Sequence, residues 1–310
     1  MSNSVRVSVI VPVRNRADLL LKCLRSLVAQ DIDPDSYEII VCDDGSTEDL
    51  TLVVAQFQPG PPSVNLLRQP PKGPAAARNM GFRASAAPVF VCLDSDMTCE
   101  NNFVHLLIEV LDSHPSWVAA EGSVVPEGGE NSPLWDAPTN EGGSFLCGAT
   151  AYRADAIKRV GGFDETFNLP GNEDFEVGIR LQQIGKFGYA PGAIAYHPKR
   201  RVTLRTFWMW RRFWKFTVII AKRYGVLGVP SRGKTTRFPR LRVAFCAIAT
   251  LPAGRLFKAI SHFFKNPLEG ALAVSYAAFE SICGFFALPE IFFFRLSERR
   301  NYFADRDSDA

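Results

Sequence analysis

The sequence lacks the marks of several protein classes. Its seven cysteines are odd in number and never fall at CxxC spacing, which excludes a disulfide framework and a structural zinc site. No basic stretch leads into a long apolar run at the start, so no signal peptide is expected, and residues 1–200 are expected in the cytoplasm. Glycine (23) and proline (21) are near average and nothing repeats, so collagen-like and low-complexity chains are excluded. Acid is missing from one long stretch: residues 199–268 hold 17 Lys/Arg and no Asp or Glu.

What is present is globular. The 310 residues are 47% hydrophobic and 22% charged, enough for one large α/β domain or two smaller ones. The overall charge of +3 hides a net −11 over residues 1–198 and +14 over residues 199–310. Two chemically different regions share the chain.

Residues 5–13 form a β-branched run with one charge, the pattern of a strand buried on both faces. Residues 18–30 carry Leu19, Leu20, Cys23, Leu24 and Leu27 on one helical stripe. Further strands are expected at 37–42, 64–67 and 88–93, with helices at 50–57, 73–86 and 102–111. This alternation is the grammar of a doubly wound α/β sheet, in which ligands bind beyond the carboxyl ends of the strands. The second half reads as strands at 117–125, 145–152 and 187–197, a loop at 126–143, and helices at 155–160 and 175–184.

Polar clusters sit where the strands end. Asp94-Ser95-Asp96 closes the fourth strand, and two carboxylates there can hold Mg²⁺ or Mn²⁺ against a diphosphate; a helix cap is the plain alternative. Asp43-Asp44-Gly45-Ser46 follows the second strand. Asp44 can accept hydrogen bonds from a base or ribose, and Gly45 permits close backbone approach. Lys72-Gly73 and Arg78-Asn79, near a helix start, suit phosphate. Glu173-Asp174 precedes a helix after a Gly-rich approach, where a carboxylate can serve as general base on a hydroxyl or simply favour the helix dipole. His197 ends a strand and suits a metal or a structural role.

The C-terminal region points elsewhere. On a helical wheel, residues 205–224 set Arg205, Arg211, Arg212, Lys215, Lys222 and Arg223 opposite an aromatic face, the pattern of an interfacial helix on an anionic membrane. Residues 268–296 are long and apolar enough to span a bilayer but contain Glu269, Glu280 and Glu290, which favours helices lying in the interface, or a re-entrant hairpin broken near Pro289, over a true span.

The segments SVIVPVRNR (8–16), IIVCDDGST (39–47), KGPAAARNMGF (72–82), FVCLDSDM (90–97), GGFDE (161–165) and NEDFEVGIRL (172–181), in that order, resemble family 2 glycosyltransferases. The resemblance implies an α/β GT-A fold, a Rossmann-like nucleotide-binding domain with a mixed sheet. It also implies a UDP-, dTDP- or GDP-sugar donor, a divalent metal (Mn²⁺ or Mg²⁺) and inversion at the anomeric carbon. By the same resemblance Pro12, Val13, Arg14 and Asn15 line the base and Asp44 holds it. Arg78 lies toward the base and diphosphate, on the nucleotide-sugar side where the Lys72 cation also suits phosphate. Asp94 and Ser95 face the ribose side, and Asp96, with Asp94 and His197, takes the metal. Asp174 is the base, with Glu173 beside it at the acceptor.

The expected organisation is a glycosyltransferase domain over 1–200, with a nucleotide-sugar half (1–112) and an acceptor half (113–200). A mainly helical, membrane-associating region over 201–310 follows it. The acceptor would be a glycan or a lipid-linked molecule at the cytoplasmic face of the cell membrane, with the protein peripheral or monotopic and no nucleic acid expected. Three other readings compete. The basic aromatic region could bind nucleic acid; a nucleotidyltransferase shares the architecture but would want a glycine where Pro12-Val13-Arg14-Asn15 stands; an inactive relative would not need Asp94, Asp96 and Asp174 together.

Overall fold

The computed structural model describes residues 5–203 except 133, together with six positions between 206 and 224. Among the described residues ten strands are formed: β1 (Val7–Val13), β2 (Tyr37–Asp44), β3 (Ser63–Gln69), β4 (Val89–Leu93), β5 (Thr98–Cys99), β6 (Trp117–Pro126), β7 (Trp135–Asp136), β8 (Ala149–Arg153), β9 (Lys186–His197) and β10 (Arg200–Arg201). Within residues 5–203, six α-helices accompany them: α1 (Ala17–Val28), α2 (Thr51–Val54), α3 (Pro74–Ala84), α4 (Phe103–Ser113), α5 (Ala154–Arg159) and α6 (Glu173–Gln182).

The fold is α/β with one mixed eight-stranded sheet, in the order β3-β2-β1-β4-β8-β6-β9-β5. The expected strands at the start of the chain form because their side chains are apolar on both faces. Val9 and Val11 pack with α1 residues Leu20, Leu24 and Leu27 in one core. Ile10 turns the other way and joins Ile40, Phe82 and Phe90 in a second. Strand alternation thus feeds two cores from one sheet.

Strands β1, β2, β3 and β4 run parallel, while β8 pairs antiparallel to both β4 and β6. The chain leaves β1 toward β2 and β3, then returns to place β4 on the other side of β1. Such a reversal of strand order opens a crevice at the carboxyl ends. The turns after β1, β2 and β4 all meet there.

One expectation is corrected. The strand expected over 145–152 begins only at Ala149. Before it, Phe145 is left-handed at φ 55°, and the buried Glu121 carboxylate accepts the Gly143 amide at 2.6 Å and also the Phe145 and Leu146 amides. Amides captured by a carboxylate cannot also serve a strand ladder.

The chain falls into two compact units. Among the described residues, the first contains residues 5–125 and Thr139–His197, and the second contains Pro126–Pro138 and the described positions from Pro198 to Tyr224. Within the second, β7 and β10 pair antiparallel, and the Lys199 ammonium donates to the Gly128 carbonyl at 3.0 Å. Phe216, Ile219 and Ile220 are buried helical positions. Most of the basic helix expected over 205–224, and all of 268–296, lie outside the described residues. Among the described residues no helix is long and apolar enough to cross a membrane.

Candidate functional site

The turns after β1 and β2 interlock. The Asn15 amide donates to Ser46 Oγ at 2.7 Å, and Asn15 Oδ1 accepts the Thr47 amide at 2.8 Å. Asn15 and Arg16 are both left-handed, at φ 59° and 65°. Asp43 Oδ1 accepts the Ser46 amide at 2.8 Å. Asp44 accepts Gln69 Nε2 at 2.9 Å and the backbone amides of Lys72 and Gly73, each at 2.8 Å. Gly73 has φ 99°, and a Cβ there would stand 2.5 Å from the Asn168 carbonyl oxygen, so the approach to α3 requires glycine.

The turn after β4 is met by side chains instead. Arg78 on α3, only 3% exposed, donates to Asp94 Oδ1 at 2.8 Å and to Glu173 Oε1 at 3.0 Å. Its guanidinium lies 5.6 Å from the Phe163 ring centroid. One buried cation therefore ties β4 to the first turn of α6. Asp96 is paired with Arg16 Nη1 at 2.6 Å through Oδ2, while His197 Nε2 stands 3.7 Å from its Oδ1. The β5–β9 register, with Thr98 opposite Tyr196, is what brings Asp96 and His197 together.

Glu173 accepts the Gly171 amide at 2.7 Å. Asp174, half-buried beside it, accepts the Phe175 amide at 2.8 Å. Burial first, and then the Glu173 carboxylate, push the Asp174 carboxyl from its ordinary value up to about 7. A carboxyl whose proton affinity is raised by burial and by a neighbouring carboxylate is a usual mark of acid–base work. Burial pushes the Cys147 thiol well up, so it is a neutral packing group and not a nucleophile.

The divalent cation implied by the resemblance can be tested against these residues. Asp96 and His197 offer one carboxylate oxygen and one imidazole nitrogen across 3.7 Å, both side chains buried. That set suits an ion that keeps its remaining positions for water and phosphate oxygens. Among the described residues, no group of three or more His, Cys, Asp or Glu is gathered for a metal. The residues fit an ion shared with a substrate, not an all-protein cage.

The structure thus gathers Asp94, Asp96, Arg78, Glu173, Asp174 and His197 at the strand ends, with Ser95 buried between the two aspartates. Pro12 and Val13 close β1, and the Arg14 side of that turn is exposed. Asp44 and Gly45 lie on the neighbouring turn, where Lys72 contributes a backbone amide. Arg78 lies inside the carboxylate cluster. Asn79 is likewise buried, donating to the Phe163 carbonyl at 2.9 Å and accepting its amide at 2.9 Å. The cap alternative for the β4 turn is not what forms: Asn102 caps α4 with no side-chain bond. Sequence reasoning missed Arg16. The available signal was its place at the N-cap of α1, where a cation opposes the helix dipole.

Comparison with known proteins shows the family and the fold. Residues 8–171, more than half of the chain, match the family described as glycosyl transferase family 2. A hyaluronan synthase of Pasteurella multocida is 30% identical over 62% of this chain and 24% of its own length. A pre-mycofactocin glycosyltransferase of Mycobacterium tuberculosis is 30% identical over 63% of this chain and 43% of its own. The chain therefore spans less than half the length of these curated relatives. Among solved structures, the mannosyltransferase PcManGT of Pyrobaculum calidifontis, in complex with GDP-Man and Mn²⁺, superposes with a TM-score of 0.60 at 19% identity, over 93% of this chain and 87% of that one. S. aureus TarS 1-349 in complex with UDP-GlcNAc superposes at 0.57 with 16% identity, over 98% and 91%. At such identities the likeness is one of fold.

Proposed function

The chain belongs to glycosyl transferase family 2 and is a glycosyltransferase, and from that membership we propose an inverting single displacement at the strand-end cluster. The observation that carries the reading is the contiguous run of Asp96, Asp94, Arg78, Glu173 and Asp174, which lays a cation-binding end beside a carboxylate tuned to about 7. The donor is a nucleotide sugar, UDP-, dTDP- or GDP-linked. The interlocked turns after β1 and β2, with Pro12 to Asn15, Asp44 and Gly45, form the base side.

Asp174 removes the proton from the acceptor hydroxyl as its oxygen attacks the anomeric carbon. The new C–O bond forms as the bond to the diphosphate breaks, and its electron pair leaves with the nucleoside diphosphate. Arg78 does not touch the reacting atoms; it holds Asp94 and Glu173 in register so that Asp174 faces the acceptor. A divalent ion, Mn²⁺ or Mg²⁺, held by Asp96 with His197, would supply charge neutralisation for the departing diphosphate. No covalent enzyme intermediate is needed.

The acceptor is a glycan or lipid-linked hydroxyl at the cytoplasmic face of the membrane, with residues 201–310 on an anionic bilayer; the support is the acid-free basic and aromatic composition. Removing residues 201–310 should abolish flotation with anionic liposomes. The primary test is calorimetry with UDP-, dTDP- and GDP-sugars, with and without Mn²⁺. One donor should bind in a manganese-dependent way and lose that dependence in Asp96→Asn. Binding that ignores both manganese and Asp96 would remove the cation from the reading.

A further inference from the structure

We propose that Arg16 is a resident counter-ion of Asp96 that competes with a divalent cation for this carboxylate, so that Arg16 holds ion binding weak until donor arrives. The proposal rests on the reading of Asp96 as the metal carboxylate.

Arg16 stands where its local surroundings disfavour it. It is left-handed at φ 65°, directly after Asn15 at φ 59°, and two consecutive residues with a Cβ seldom adopt that conformation. It is also the N-cap residue of α1, where the helix dipole disfavours a cation. Its position is nevertheless fixed from both sides. Asn15 is bonded to Ser46 and Thr47, and the Ala17 amide donates to Glu48 Oε2 at 2.8 Å. The segment so pinned delivers Arg16 Nη1 to Asp96 Oδ2 at 2.6 Å, across 80 residues of sequence. Strain of this kind persists where the surroundings over-determine it, and it clusters at functional sites.

The two ends of this pair are unequal. The Asp96 side chain is 5% exposed and the Arg16 side chain 45%. A buried carboxylate is costly without a positive partner, and Arg16 provides one while the ion is absent. A guanidinium on Oδ2 and a dication on Oδ1 of one carboxylate repel each other, so each weakens the hold of the other. Being half in water, Arg16 can leave at small solvation cost, and an arriving diphosphate offers it a new anionic partner. Ion and donor binding are then coupled through one side chain, and each favours the other.

Titrating the full chain with MnCl₂ alone, followed by electron paramagnetic resonance or calorimetry, tests this without any turnover. Arg16→Ala and Arg16→Asn should bind Mn²⁺ at least tenfold more tightly than wild type. Asparagine tolerates the left-handed backbone, so its variant guards against misfolding. Arg16→Lys keeps a cation and should stay near wild type, and Asp96→Asn should lose the site. Asp96-dependent binding that is unchanged or weaker in both neutral variants overturns the counter-ion role and leaves the metal reading standing. No Asp96-dependent binding in any variant overturns the metal reading, and this proposal with it.

Discussion

Two acidic turns end two parallel strands on the same edge of the sheet, and the sequence writes them nearly alike: Asp43-Asp44 after β2, Asp94-Ser95-Asp96 after β4. The molecule uses them differently. The β2 carboxylates accept chiefly from backbone, the amides of Ser46, Lys72 and Gly73. The β4 carboxylates are met by side-chain cations, Arg78 and Arg16, with His197 nearby. A backbone amide cannot leave without unmaking the turn, so the first pair is committed to shape. A side-chain cation can be exchanged for an ion or a substrate charge, so the second pair is suited to chemistry.

Substitution should separate the two turns. Asp96→Asn is expected to have the largest kinetic effect, a loss of about 10³-fold or more in transfer, on the order of 4 kcal/mol, with a melting temperature close to wild type. A large drop in melting temperature in this variant would place the β4 turn with the β2 turn, as architecture. Asp174→Asn should cost about 10²- to 10³-fold in kcat. The pH profile has a definite sign. Asp174 must be ionised to act, so transfer should fall as pH drops through about 7. The same raised value opposes folding at high pH: the folded protein binds a proton that the unfolded chain releases, so this group's support of the fold is full below about 4 and lost as pH rises through about 7. Asp174→Asn should therefore melt higher than wild type at pH 8. A flat profile between pH 6 and 8 with undiminished transfer would remove Asp174 as the base.

Asp44→Ala should reverse the order of effects. It strands the Lys72 and Gly73 amides, and the expected cost is about 2–4 kcal/mol of folding stability, read by urea unfolding. Loss of activity should follow loss of fold. A variant as stable as wild type would mean that the two turns do not differ in the way their hydrogen bonds indicate.

How much of this was readable beforehand follows from sequence distance. The parallel strands were legible because β1, β2 and β4 are apolar on both faces and end at acids, which is local information. The strand-end acids were legible for the same reason. The turn at 145–148 was not, because Glu121, more than twenty residues away, captures its amides. Arg78 read as a phosphate-binding cation near a helix start; its burial was not legible, because its partners Glu173 and Phe163 arrive from the far half of the chain. His197 could be named but not placed, since only the β5–β9 register sets it against Asp96. Local pattern identified chemistry-bearing residues; long-range packing decided which of them were paired, and with what.

The smallest expected effect is the sharpest check on the comparison. Arg68 is the one side-chain cation shown on the β2 turn among the described residues: its Nε lies 3.4 Å from Asp43 Oδ2 and its Nη2 donates to the Ser46 carbonyl at 2.7 Å. With its side chain 61% exposed, this pair is solvated and screened, and such pairs contribute about 0–1 kcal/mol. Asp43 itself is buried, and its other oxygen already holds the Ser46 amide. Arg68→Ala should therefore cost under about 1 kcal/mol, and the cost should shrink further between 50 mM and 1 M salt as the Debye length contracts. A salt-independent loss of several kcal/mol would mean that the β2 turn, like the β4 turn, depends on a side-chain cation. Partner type would then no longer distinguish a carboxylate that shapes the loop from one that serves the reaction.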